Sequence, residues 1–105
     1  MPYQLSPQAL RDLDRIIRYR AREAGAASAA RLNADLRSAL VTIANHPLIG
    51  STRRDLTSRP YRFWRKGVYW IVYEIDAAHG HPRIVRVIDG RRDVARYPDA
   101  LASAA

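Results

Sequence analysis

Residues 68–93 read VYWIVYEIDAAHGHPRIVRVIDGRRD. Two runs dense in β-branched and aromatic residues flank a segment of Asp, Gly, His and Pro, the pattern of two strands joined by a hairpin loop. The first run, Val68–Ile75, is apolar on both faces, as a central strand is. The second, Arg83–Asp89, ends at Gly90, and the chain then turns basic through Arg91-Arg92-Asp93. One step upstream, Tyr61–Arg65 reads as another strand, closed by Lys66-Gly67. Three consecutive strands therefore form a meander.

Alternation along Arg83–Asp89 predicts Ile84, Arg86 and Ile88 on one face and Val85, Val87 and Asp89 on the other. An arginine between two isoleucines either lies half-buried with its head against a carboxylate, Asp89, Glu74 or Asp93 being the candidates, or serves binding on an exposed face.

Ahead of the loop PLIGSTRRDLTSRP the period changes to that of helices. Ser6 is placed to cap a helix, with Pro7 in its first turn, where a missing N–H is harmless. Leu10, Leu13, Ile17, Ala21 and Ala24 recur at helical spacing, and Gly25 stops the run. Ala29, Leu32, Leu36, Leu40 and Ile43 define a second helix, which ends before Pro47. The short link predicts an antiparallel helical hairpin, whose apolar side needs a further layer. With a short extended start at Tyr3-Gln4-Leu5, the expectation is an α+β fold of order β-α-α-β-β-β, the hairpin packed on a mostly antiparallel sheet. Residues 1–98 are expected to form a single domain and residues 99–105, with the run ALASAA, a frayed tail.

The chain has 105 residues, of which 48% are hydrophobic and 27% charged, a globular composition for one domain. Its net charge is +8, carried almost wholly by arginine, with Lys66 the only lysine. Arginine forks match carboxylate and phosphate in pairs, which points to an anionic partner, nucleic acid or an acidic protein segment. Cysteine is absent, which excludes disulfides and thiolate metal sites. No run approaches the ~20 apolar residues that span a bilayer, so the expected location is the cytoplasm and no membrane partner is expected. His79 and His81 flank Gly80 without a third ligand nearby, so no metal is expected, and no cofactor. Trp64, Tyr69, Trp70 and Tyr73 read as core or sheet-face aromatics, with a base-stacking platform as the alternative.

Four stretches in a fixed order, YQLSPQALRDLDRIIRY, NHPLIGSTRRDL, YRFWRKGVYWIVYEID and RIVRVIDGRRDV, resemble the RelE/ParE superfamily of bacterial toxins, most closely its ParE branch. The resemblance implies the toxin of a type II toxin–antitoxin system, active in growth arrest and plasmid stabilisation. It also implies a hetero-oligomer with a ParD-like antitoxin whose acidic, amphipathic segment wraps the toxin. ParE-branch toxins are associated with inhibition of DNA gyrase, by binding and not by catalysis. The alternative is the RelE activity, ribosome-dependent cleavage of messenger RNA.

For that nuclease, Arg92 would hold phosphate and Tyr97 would act in proton transfer. The several lysines of RelE enzymes are missing, and Asp89 stands where the ParE pattern commonly has His. Otherwise no catalytic residue is expected. Arg59, Arg62, Arg86, Asp89, Arg91, Arg92 and Asp93 are the candidates for the target or antitoxin surface. Arg59, Arg62, Arg91 and Arg92 are expected to rim one face of the sheet, their forks held by Asp89 and Asp93.

Overall fold

The Ser6 hydroxyl accepts the Ala9 N–H at 3.0 Å and donates to the Val85 carbonyl at 2.7 Å. One buried side chain thus caps the first helix and stitches it to the last strand. The computed structural model describes residues 2–76, 78 and 80–91. Among these the elements run β1 (Gln4–Leu5), α1 (Pro7–Ala24), α2 (Ala26–Asn45), β2 (Ser51–Thr52), β3 (Arg62–Lys66), β4 (Tyr69–Ile75) and β5 (Pro82–Asp89).

The sheet order is β1-β5-β4-β3-β2, antiparallel except where β1 lies parallel to β5. The expected order therefore holds with one addition, the two-residue β2 inside what reads as loop. Gly25 alone separates the helices. At φ +91° it ends α1, donating its N–H to the Ala21 carbonyl, and accepts the Ala29 N–H to begin α2. So short a link forces the helices antiparallel.

One face of the sheet presents Tyr69, Ile71, Tyr73, Ile84 and Val87 to Leu13 and Ile16 of α1 and to Leu32, Leu36, Leu40 and Ile43 of α2. The other face, Tyr61, Phe63, Val72, Val85 and Ile88, packs with Leu56 from the loop before β3. Both faces are covered, which is why β4 carries apolar residues on both.

The alternation in β5 is broken. Tyr73 pairs with Ile84 but Val72 pairs with Arg86, so Val85 is the extra residue of a β-bulge. Ile84 and Val87 therefore face the helices while Val85 and Ile88 face away, against the expected Ile84, Arg86, Ile88 face. The apolar side of α1 is also turned from the expected one. It buries Ala9, Asp12, Leu13 and Ile16, whereas Leu10 is 50% exposed.

The turn after α2 is fastened by side chains. The Tyr73 hydroxyl donates to the Pro47 carbonyl at 2.7 Å and accepts the Gly50 N–H at 2.8 Å, while Arg62 Nη1 donates to the Gly50 carbonyl at 2.6 Å. A Cβ on Gly50 would lie 2.8 Å from the Tyr73 ring and hydroxyl, so glycine is required for this approach. Burial pushes the Tyr73 phenol above its ordinary pKa. No helix among the described residues is long and apolar enough to cross a membrane.

Candidate functional site

β1 pairs with only Arg83 and Ile84 of β5. Beyond that point α1 takes the place of a neighbouring strand: the Ser6 N–H donates to the Ile84 carbonyl, its hydroxyl to Val85, and the Asp12 carboxylate accepts the Val87 N–H at 2.9 Å. Past Asp12 the helix and the strand separate around a cleft. Its volume is about 330 Å³, and its walls are Arg15, Ile16, Tyr19 and Arg22 of α1, Tyr69 of β4, and Arg86 to Asp89 with Arg91.

The floor of this cleft is an ion-pair network. Asp12, 2% exposed, accepts Arg86 Nε at 2.7 Å and Nη2 at 3.1 Å, and Arg15 Nη2 at 2.9 Å. At the mouth, Asp89 accepts the Arg91 N–H at 2.9 Å, its Nε at 3.0 Å and its Nη2 at 2.7 Å. The bond to Asp89 raises the pKa of the Arg91 guanidinium further. Among the described residues four arginines stand against two carboxylates, a cationic balance. Its chemistry suits the binding of a carboxylate or phosphate beside an apolar or aromatic group seated on Tyr19 and Tyr69.

Of the residues singled out from sequence, Arg86, Asp89 and Arg91 converge here. Among the described residues the carboxylate gripped by Arg86 is Asp12 in α1, which is not among its three expected partners. Arg92, Asp93, Tyr97, His79 and the tail 99–105 lie outside the described residues.

Arg59 and Arg62 do not join the group. Arg62 pairs in register with Tyr73, which pairs with Ile84, whereas Asp89 stands opposite Tyr69, which pairs with Lys66. In a meander the start of the first strand and the end of the third lie at opposite ends of the sheet. One continuous rim of Arg59, Arg62 and Arg91 is thereby corrected. Arg62 instead holds the Gly50 turn, and Arg59 lies 6.0 Å over the Tyr61 ring.

Asp12, Arg15, Tyr19 and Arg22 escaped the sequence reading as a group, although their spacing of three, four and three places them on one helical face. The signal was present; its meaning depended on β5 lying beneath.

The family model described as the ParE toxin of the type II toxin–antitoxin system parDE matches residues 3–94. Among solved structures, a chain of the chromosomal ParDE TA system from P. aeruginosa superposes with a TM-score of 0.69 at 15% identity, covering 85% of this chain and 95% of that one. At that identity the likeness concerns the fold. No curated protein matches the chain. A family match across nearly all the described residues, on a helical hairpin and meander of the same fold, places this chain in the ParE family, as the toxin component of a type II toxin–antitoxin system.

Proposed function

We propose that this toxin arrests growth by binding DNA gyrase, without catalysing a reaction of its own, and that a ParD-like antitoxin of acidic character neutralises it. The family match over residues 3–94 carries the reading. The cleft supports the non-catalytic part. Its two carboxylates are each engaged by an arginine fork, which suits them to hold cations in place more than to abstract a proton. The charge of +8 supports the acidic antitoxin, whose approach is electrostatically favoured. On this reading the protein works in the cytoplasm, where gyrase is.

Induction of the toxin alone tests it. Filamentation with a DNA-damage response, and inhibition of purified gyrase by the purified toxin, are the expected results. Codon-phased cleavage of messenger RNA with gyrase unaffected would replace this reading with the RelE activity.

A further inference from the structure

Between α2 and β2 the chain presents two aliphatic side chains to solvent, Leu48 at 69% exposure and Ile49 at 39%. Exposed aliphatics on a slack loop carry little meaning, but this turn is fixed on every side. Tyr73 grips it at Pro47 and Gly50, and Arg62 grips the Gly50 carbonyl. The Ile49 N–H closes back on the His46 carbonyl at 3.0 Å, and β2 pairs immediately afterwards with Phe63 and Arg62. Tyr73 itself is fully buried, so the tip rests on the core of the domain.

A convex tip whose backbone is already ordered loses little freedom on docking, and paired aliphatics on such a support suit a pocket in a partner. Arg62, whose Nη1 donates to the Leu48 and Gly50 carbonyls at 3.5 and 2.6 Å, places positive charge next to it, and Arg54 is exposed two residues past β2.

We propose that Leu48 and Ile49 form the anchor by which the toxin holds its target, seated in an apolar pocket with an acidic rim on a large folded protein; the proposal rests on the gyrase reading above. Shape and charge separate this tip from the cleft. The cleft is concave and cationic and suits an acidic segment, whereas the tip needs a preformed pocket. The two lie at opposite ends of β4, near Tyr73 and Tyr69, about 13 Å apart along the strand.

The test compares the wild type with Leu48→Ser/Ile49→Ser and, separately, Arg54→Glu. It measures growth arrest on induction, binding to purified gyrase holoenzyme, binding to the purified product of the adjacent antitoxin reading frame, and the thermal midpoint. The double variant is expected to keep its midpoint and bind the antitoxin within about twofold of wild type. It should lose growth arrest and bind gyrase at least about tenfold more weakly. Arg54→Glu is expected to weaken gyrase binding in the same direction.

A folded double variant that still arrests growth overturns the proposal, and so does one that loses the antitoxin along with the arrest. If the double variant loses its fold, Leu48→Ser alone and Arg54→Glu decide by the same criteria. A wild type that arrests growth without touching gyrase refutes the gyrase reading alone, and the tip is then judged on arrest. A wild type that does neither overturns both.

Discussion

Asp12 and Arg86, separated by 74 positions, are joined in a two-pronged ion pair at 2.7 and 3.1 Å, and the same carboxylate accepts the Val87 N–H. This pair ties the first helix to the last strand just after the bulge at Val85. The bulge turns Arg86 out of simple alternation, and Asp12 accepts both the guanidinium and the backbone amide there.

Removing Asp12 takes the two-pronged carboxylate from Arg86 and the acceptor from the Val87 N–H, at a site where the carboxylate is only 2% exposed. Asp12→Ala is expected to cost about 3–5 kcal/mol of stability, the range for a broken buried pair. Pairing it with Arg86→Met is expected to restore part of that loss. Urea midpoints across the double-mutant cycle would show it; strictly additive effects would mean that the two residues act independently.

Alkaline pH is expected to loosen the turn after α2. Burial raises the pKa of both Tyr73 and Tyr61 above the ordinary 10.0. The folded state then binds more protons than the unfolded one above that value, so stability is full below pH 10.0 and falls as pH rises towards the folded values. Tyr73→Phe should flatten this decline. At neutral pH it should cost about 1–3 kcal/mol, because the Pro47 carbonyl and the Gly50 N–H lose their partner. Thermal melts at stepped pH would reveal both changes.

Gly90 is small because Trp70 lies against it. A Cβ there would come within 2.7 Å of Trp70 Cδ1 and 2.8 Å of the Val68 carbonyl, which already accepts the Gly90 N–H. Gly90→Ala is expected to displace the ring and cost about 1–3 kcal/mol. A shift in tryptophan emission should accompany the lower midpoint, and an unchanged spectrum would mean that strand and ring adjust without strain.

Arg91 is 61% exposed and its pair with Asp89 is a surface one. Arg91→Ala should therefore move stability by no more than about 0.5 kcal/mol. The association rate with an acidic antitoxin should fall, and its dependence on salt should become shallower. Stopped-flow mixing at two ionic strengths would measure this. Arg62→Ala makes the contrast: it unfastens Gly50 and should lower the melting temperature.

The helices and the three-strand meander were legible because period and caps are local properties of the chain: Ser6-Pro7 begins a helix and VYWIVYEI can hardly be anything but a buried strand. What escaped was set by contacts distant in sequence. Asp12 reads as one more polar residue in an arginine-rich helix until β5 supplies Arg86 and Val87. Ser51-Thr52 has no strand character of its own and becomes β2 by pairing with β3. The bulge at Val85 leaves no mark in an apolar run, so alternation misplaced half of β5. The separation of Arg62 from Arg91 was within reach of sequence, since the direction of each strand in a meander already puts them at opposite ends.

The parallel pairing of β1 with β5 also bears on how the protein is made. The residues that begin the fold, Gln4 and Leu5, find their partners at Arg83 and Ile84, so the sheet has no complete centre until nearly the whole domain has left the ribosome. Contacts of such long range are slow to form. A nascent chain halted anywhere in the helices or in β3 has neither its cationic cleft nor Tyr73, which fastens the turn after α2. Partial translation products that end before β5 therefore lack the cleft, which is complete only when β5 lies between the first strand and the fourth.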